Sequence, residues 1–201
     1  DGSFYGDNTD YSGFIAGLKR GLPQVAENPA RLEHVVQLGA GGAGSATAYA
    51  LCRLGVRRLS LFERDAAKAQ ELAEQLGGLF PQTRVEVLSD DERLIEVLLE
   101  AQGLVNATPV GMHVHPGMPL SESALSAGVL REGLWVADVI YLPQQTQLVR
   151  AARAAGCEVL TGGYMAVGQA VDAFRLFTGL EPNAERMAAH FETLIAAQQG
   201  V

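Results

Sequence analysis

The chain has 201 residues, of which 48% are hydrophobic, and this length and composition suit one large domain, or one domain with appendages, with a sizeable core. Its 15 basic and 23 acidic residues give a net charge of −8 with no basic cluster, which argues against nucleic acids and anionic membrane surfaces as partners. It shows no apolar run of about eighteen residues and no signal-peptide pattern, so we expect neither a membrane span nor a leader.

The first predicted element is a helix from about Thr9 to Leu22, because apolar residues recur there at helical spacing. Pro23 and Asn28-Pro29 predict a loop after it.

From Glu33 onward, segments typical of strands alternate with segments typical of helices, which predicts parallel βαβ units. We therefore predict an α/β fold with a doubly wound, Rossmann-like parallel sheet of six strands. Gly77-Gly78 is expected to end the second helix of this series. The predicted strands are 34–38, 58–62, 84–88, 103–106, 134–139 and 158–160, and the helices are 42–54, 66–76, 91–99, 147–155, 166–178 and 182–198.

Two cysteines, Cys52 and Cys157, fall inside apolar segments far apart in sequence. This usage is typical of buried thiols in a reducing compartment, so we expect a cytoplasmic protein.

The loop after the first predicted strand carries the most specific motif. Gly39, Gly41 and Gly44 fit G-x-G-x-x-G between a strand and a helix. Glycine allows a tight turn at the first position, close approach of a pyrophosphate at the second and close helix packing at the third. Together with Gly42 and Ala43, the motif predicts a dinucleotide site at the N-terminus of the helix. The alternative is a glycine-rich turn without a ligand.

The second predicted strand ends at Glu63, 22 positions after Gly41. A carboxylate there normally accepts hydrogen bonds from the adenosine ribose and repels a 2′-phosphate, which favours NAD. Arg64 could hold that phosphate instead and leaves NADP open. A solvated surface pair is the remaining alternative for both residues.

Other polar residues are ambiguous by spacing alone. Thr108-Pro109 follows the fourth strand, beside the ligand-binding edge of such sheets, but suits a loop start as well. Asp10 suits a helix start, and Gln169 suits a satisfied amide in an apolar helix.

The histidines give no metal or catalytic signal. His113 and His115 have the spacing of a metal pair, but no third ligand is near in sequence, so we expect no metal. His34 and His190 are interpreted as surface residues.

Several segments acquire a common meaning when they are taken together. In chain order they are GDNTDYSGF at 6–14, GAGGAG at 39–44, NATPVGM at 106–112, ADVIYLPQQTQL at 137–148 and GGYMAVGQAVDAFRLFTGLEP at 162–182. With them, nearly the whole chain resembles the shikimate and quinate dehydrogenase family, and within it the NAD-preferring branch.

The resemblance implies an oxidoreductase that exchanges a hydride between NAD, with NADP left open, and a cyclic hydroxy acid of the quinate or shikimate class. In that family the aspartate of the NTD motif pairs with a lysine of the preceding domain and moves the proton, which implies this role for Asp10. Tyr141 and Gln169 match substrate contacts. The positions matching the nicotinamide side are Thr108, Pro109, Val139, Gly162 and Met165.

The resemblance also implies a domain organisation. We expect residues 1–22 to be a hinge segment from an N-terminal substrate domain that this chain lacks, and 23–164 to be the dinucleotide-binding domain. Residues 165–201 are expected to pack back toward the substrate domain. Without that domain we expect an inactive chain with a bare apolar face around Tyr11, Phe14 and the helix at 166–178.

Three questions remain open from the sequence. The alternative function is a stand-alone dinucleotide-binding or regulatory module, although a pure binding module needs neither Asp10 nor Gln169. A dehydrogenase acting on another substrate through the same fold is a further alternative. The expected partner is a small-molecule substrate, and a homodimer is left open.

Overall fold

The protein is described here as a computed structural model that covers residues 2–4 and 6–199. Its centre is one sheet of six parallel strands in the order β3-β2-β1-β4-β5-β6. The order reverses between β1 and β4, so the carboxyl ends of these two neighbours border the crevice where α/β sheets bind ligands. The strands are β1 His34–Leu38, β2 Arg58–Phe62, β3 Arg84–Val87, β4 Gly103–Asn106, β5 Trp135–Asp138 and β6 Glu158–Leu160. The predicted fold class is confirmed.

Helices cover both faces of the sheet, and the sheet separates two apolar cores, one on each face. None of the described helices is long and apolar enough to cross a membrane. The helices are α1 Thr9–Gly21, α2 Pro23–Ala26, α3 Gly42–Arg53, α4 Ala66–Leu79, α5 Asp91–Glu100, α6 Glu122–Ser126, α7 Gln147–Ala154, α8 Gly162–Thr178 and α9 Ala184–Gln199, with a 3-10 turn at Pro29–Leu32.

The prediction that α4 ends at Leu76 is wrong. The helix continues through Gly77 and Gly78, neither of which has a positive φ. The Phe80 N–H donates to the Leu76 carbonyl at 2.8 Å, and the Phe80 ring packs edge-on against Tyr49 with ring centroids 5.2 Å apart. Burial of Phe80 in the core therefore holds the last turn of α4 in place despite the two glycines.

The predicted loop at 23–29 is wrong over most of its length, since α2 covers Pro23–Ala26 and the 3-10 turn begins at Pro29, with residues 27–28 joining the two. Proline stands at the first position of both, where its missing N–H costs nothing. The Asn28 side chain accepts a hydrogen bond from the Ala30 N–H and caps the turn.

The last but one helix, α8, begins four residues before the predicted start at 166. A Cβ on Gly162 would lie 2.2 Å from the Val139 carbonyl oxygen. Glycine at this position therefore lets the helix start directly against the chain that leaves β5.

Two residues expected at the surface are buried. Phe14 is 1% exposed and belongs to the core under α1, so it contributes nothing to a bare apolar face. His34 is 2% exposed because the first residue of β1 lies between its neighbouring strands and not at a free edge. The exposed large apolar side chains near the C-terminus are instead Phe174, Leu176, Phe177, Leu180 and Leu194.

Helices α1 and α8 cross at unusually close range. A Cβ on Gly13 would lie 2.5 Å from the Gln169 backbone nitrogen, and one on Gly168 would lie 2.6 Å from the Gly13 carbonyl oxygen. The missing side chains allow the two backbones to touch, and this contact fixes how the helix carrying Asp10 lies against the helix carrying Gln169.

Candidate functional site

A cleft of about 520 Å³ lies at the carboxyl ends of the strands where the sheet order reverses. The loop before α3 forms one wall, and the segments after β4 and β5 form the other. Seven of the residues predicted to bind cofactor or substrate line it: Gly41, Gly42, Ala43, Thr108, Pro109, Val139 and Tyr141.

The glycine loop is shaped to leave room for a ligand. Gly39 has φ +96°, and a Cβ on Gly44 would lie 2.4 Å from the Gly39 carbonyl oxygen, so both glycines are required for the turn. A Cβ on Gly41 or Gly42 would meet no protein atom within 4 Å and would project into open space. The absence of side chains there keeps the N-terminus of α3 accessible.

The N-terminus of α3 has the properties of an anion site. Its N-cap residue is Gly41, and no side chain caps the helix at this end. The first backbone N–H groups of a helix lack intrahelical acceptors, and the helix dipole adds partial positive charge. The residues present therefore fit the pyrophosphate of a dinucleotide.

A buried polar clamp that the sequence reasoning missed holds the glycine loop from beneath. The Gln37 Nε2 donates to the carbonyls of Gly39, at 2.9 Å, and Gly44, at 2.8 Å. The Thr47 hydroxyl donates to the Gln37 Oε1 at 2.8 Å, and both side chains are fully buried. A glutamine in the middle of the apolar strand VVQL was the available signal.

Glu63 follows β2 immediately and is hydrogen-bonded to the glycine loop. Its Oε2 accepts from the Ala40 N–H at 2.9 Å, and its Oε1 accepts from the Asp65 N–H at 3.2 Å. Partial burial raises the pKa of the Glu63 carboxyl, but the backbone hydrogen bonds, with Lys68 nearby, outweigh it and lower the pKa below its ordinary value. The group is therefore a carboxylate at neutral pH, while Arg64 beside it is exposed.

The two segments of the second wall are joined by a buried network that the sequence reasoning also missed. The Asn106 side chain donates to the Asp138 Oδ1 at 3.1 Å, and the Thr146 hydroxyl donates to the Asp138 Oδ2 at 2.7 Å. Burial raises the pKa of Asp138 above its ordinary value, although Thr146, the Ile140 N–H and Asn106 donate to it.

Of the residues predicted for proton transfer and substrate binding, Tyr141 lines the cleft, and Asp10 and Gln169 do not. Asp10 is half-buried in the first turn of α1, where its N–H donates to the N-cap Asn8 at 2.8 Å. Gln169 is on α8, where that helix crosses α1 at Gly13. Gly13 is three residues after Asp10 in α1. Tyr141 is half-exposed at the cleft, with its ring 6.4 Å from that of Phe191.

Six of the predicted cofactor residues do not line the cleft: Gly39, Gly44, Glu63, Arg64, Gly162 and Met165. Gly39 and Gly44 shape the glycine loop, and Met165 is 8% exposed in the first turn of α8. Gly162 lies directly against the Val139 carbonyl, behind the segment that lines the cleft.

Two further cavities border α1. One of about 320 Å³ is lined by Asn8, Tyr11 and Tyr49 among others, and it shares Gly42 with the cleft. The larger one, about 610 Å³ between α1, α8 and α9, contains no residue of the glycine loop. Arg175, which lines this cavity, already forms an ion pair with Asp172 at 2.6 Å. The cavity is large, but it offers no site for the pyrophosphate of a dinucleotide like the one at the glycine loop.

The described residues contain no group of three or more His, Cys, Asp or Glu side chains that could hold a metal ion. His113 lies on the rim of the cleft beside Met112 and Val114.

Comparison with known proteins gives a consistent set of similarities. The family model for the shikimate 5′-dehydrogenase C-terminal domain matches residues 164–190. The shikimate dehydrogenase (NADP(+)) of Arthrobacter sp. (strain FB24) is 55% identical over 99% of this chain, and the quinate/shikimate dehydrogenase (NAD(+)) of Corynebacterium glutamicum (strain R) is 48% identical over 96%. The chain spans 64% and 65% of the length of these two relatives.

A solved structure extends the similarity to three dimensions. The quinate dehydrogenase from Corynebacterium glutamicum in complex with NAD superposes with a TM-score of 0.83 at 46% identity. The match covers 94% of this chain and 63% of that protein.

Proposed function

Because the chain belongs to the shikimate and quinate dehydrogenase family, whose nucleotide-binding part it matches, we propose that its cleft binds a nicotinamide dinucleotide for hydride transfer. The substrate is a cyclic hydroxy acid of the quinate or shikimate class, or the corresponding ketone in the reverse direction. Nearly the whole chain aligns with enzymes of this name, which favours this proposal over a regulatory binding module.

The observation that carries the proposal is the open space in front of the uncapped N-terminus of α3. The positions of Gly41 and Gly42 leave empty space in front of an uncapped helix end. A pyrophosphate there accepts hydrogen bonds from the free backbone N–H groups and gains from the helix dipole.

The second wall suits the nicotinamide end of the cofactor. Thr108, Pro109 and Val139 line the cleft, and Gly162 packs directly against the Val139 carbonyl. The bound dinucleotide supplies or accepts the hydride, and these residues orient its ring and exclude water from it.

Proton movement falls to Asp10, since an alkoxide must form or collapse as the hydride moves. Tyr141 and Gln169 contact the substrate from two sides. The small cavity that shares Gly42 with the cleft connects the glycine loop with the α1 region that carries Asp10.

The domain division proposed from the sequence places a hinge at 1–22, the dinucleotide-binding domain at 23–164 and substrate-facing helices at 165–201. Residues 1, 5, 200 and 201 lie outside the described part of these segments. The cytoplasmic location and a homodimer stay predictions.

Titration calorimetry with NAD and a Gly41→Val variant tests the proposal. The variant places a branched side chain where the pyrophosphate would approach, so we expect loss of dinucleotide binding in a folded protein. A Gly77→Ala variant is the matched control, because its Cβ also meets open space but lies on the exposed part of α4. Unchanged affinity in Gly41→Val would mean that the loop is only a turn.

A further inference from the structure

Two neighbouring strands end in polar side chains that are buried and bonded to each other. Asn106 is 0% exposed at the end of β4, and Asp138 is 2% exposed at the end of β5. The two residues are register partners in the parallel ladder, and the Asn106 Nδ2 donates to the Asp138 Oδ1 at 3.1 Å. The strand ends are thus joined by side chains as well as by the backbone.

The Asn106 side chain organises the segment that follows β4. Its Oδ1 accepts from the Thr108 N–H at 3.1 Å and from the Thr108 hydroxyl at 2.7 Å, while its Nδ2 also donates to the Val110 carbonyl at 3.3 Å. The Thr108 hydroxyl in turn accepts from the Val110 N–H at 3.2 Å. The hydroxyl proton of Thr108 is therefore used within the wall.

The Asp138 carboxylate organises the segment that follows β5 in the same way. Its Oδ1 accepts from the Ile140 N–H at 3.1 Å, and its Oδ2 accepts from the Thr146 hydroxyl at 2.7 Å. Ile140 and Tyr141 line the cleft opposite the glycine loop.

Among the described residues, no cation forms an ion pair with Asp138. Burying a carboxylate without a counter-ion is costly, and an apolar side chain of similar volume would pack a strand end at no such cost. The packing of the sheet therefore does not account for Asp138, whereas the geometry of the two loops does.

We infer that Asp138 is a positioning residue that, through Asn106 and Thr146, sets the spacing of the two loops facing the nicotinamide end of the dinucleotide. This inference rests on the proposed function. The two ends of the cofactor would then be held by separate groups of residues. The Asp138 network positions the wall at the nicotinamide end, while the glycine loop, held by Gln37 and Thr47, binds the pyrophosphate.

The test compares two ligands that share the ADP-ribose half. NADH carries the nicotinamide, and ADP-ribose lacks it. A Thr146→Ala variant removes the hydroxyl that bonds Asp138, so we expect NADH affinity to fall by about fivefold or more, as for loss of a hydrogen bond to a charged group. ADP-ribose affinity should stay within about twofold, and the enhancement of NADH fluorescence on binding should decrease.

The chain offers a closely matched control. Thr146 caps α7 by accepting from the Val149 N–H. Ser121 caps the short helix α6 in the same way, by accepting from the Ala124 N–H, and its hydroxyl donates to the Asp91 Oδ2 at 2.6 Å. Ser121 lines none of the cavities described here, so Ser121→Ala should lose comparable stability and leave both affinities unchanged. Thr146→Ser keeps the hydroxyl and should restore NADH binding.

An Asn106→Leu variant breaks the bridge from its other end and is the second test, with the same expected split between the two ligands. Equal losses for NADH and ADP-ribose, or none for either in folded Thr146→Ala and Asn106→Leu, would overturn the inference. Failure of the wild-type chain to bind either ligand would instead contradict the proposed function.

Discussion

At the scale of single residues, Glu63 combines two tasks. Its carboxylate holds the glycine loop through the Ala40 N–H and, as an acceptor with free lone pairs, remains available to ribose hydroxyls. A 2′-phosphate would face this negative charge, so we predict that NAD binds at least about tenfold more tightly than NADP, or about 1.4 kcal/mol. Calorimetric titration with both cofactors measures the ratio.

A Glu63→Gln variant separates the two tasks, because the amide oxygen can still accept from Ala40 while the charge is gone. The preference for NAD should narrow without loss of folding, and Glu71→Gln, on the exposed side of α4, should leave it unchanged. Equal or reversed affinities for NAD and NADP in the wild-type chain would contradict the role assigned to Glu63, and Arg64 would then be the residue that binds the 2′-phosphate.

The burial of His34 leads us to predict that the stability of the fold depends on pH. Its Nε2 lies 2.8 Å from the Ser60 hydroxyl, which donates to the Glu86 Oε1 at 2.7 Å. The Nε2 therefore carries the proton, and the Nδ1 is buried without a partner. Burial, aided by the charges of Arg58 and Arg93 and opposed by Glu86, lowers the pKa of His34 from 6.5 to about 4.

A histidine with a lowered folded-state pKa binds protons more readily in the unfolded chain. Its contribution to stability is present above pH 6.5 and is lost as the pH falls toward about 4, for a total of up to about 3 kcal/mol. Urea unfolding of the wild-type and of a His34→Gln variant across this range should show that the difference between them shrinks on acidification. A His34→Gln variant whose stability ran parallel to that of the wild-type across this pH range would refute the effect.

At the scale of elements, the crossing of α1 and α8 determines how Asp10 and Gln169 face each other. We predict that Gly13→Ala lowers the free energy of unfolding by about 1–3 kcal/mol, because its Cβ would meet the Gln169 backbone at 2.5 Å and a backbone cannot yield as a side chain does. Urea denaturation measures the loss.

The control for this crossing is Gly77→Ala on α4, where a Cβ meets nothing within 4 Å. Alanine is a better helix former than glycine by about 1 kcal/mol, so this variant should be more stable than the wild-type. A Gly13→Ala protein as stable as the wild-type would show that the two helices can separate without cost.

At the scale of the whole molecule, the chain spans 64% of the length of the Arthrobacter relative. The family resemblance implies a substrate held between this part and a preceding domain, and positioning of the reactants supplies much of the acceleration in such a reaction. We predict that the 201-residue chain binds NAD but does not measurably oxidise quinate or shikimate.

The assay mixes the purified chain with NAD and either substrate and follows the absorbance of NADH. Turnover of about 1 per second or faster would show that the catalytic machinery lies wholly within these residues. Binding of NAD to the same preparation is the control that shows the cleft to be intact.

The fold class, all six strands to within one residue at each end, and the place of the glycine loop follow from the amino-acid sequence alone. These features depend on apolar periodicity and on glycines at fixed spacing, which are local properties of the chain. The element ends were less accurate where a distant contact overrides local preference, as Phe80 does for α4 and Val139 does for the start of α8.

The polar residues that support the cleft become evident only in the folded protein. The sequence gives no sign that Gln37 bonds to the glycine loop and to Thr47 of α3. Away from the cleft, it gives no sign that His34 is buried beside Ser60 of the neighbouring strand. Asn106 bonds to Asp138 across 32 positions, and Ala40 bonds to Glu63 across 23. Such contacts arise when the sheet brings strand ends together. The sequence therefore indicates which residues face a ligand, whereas the residues that hold them in place are recognised from the folded structure.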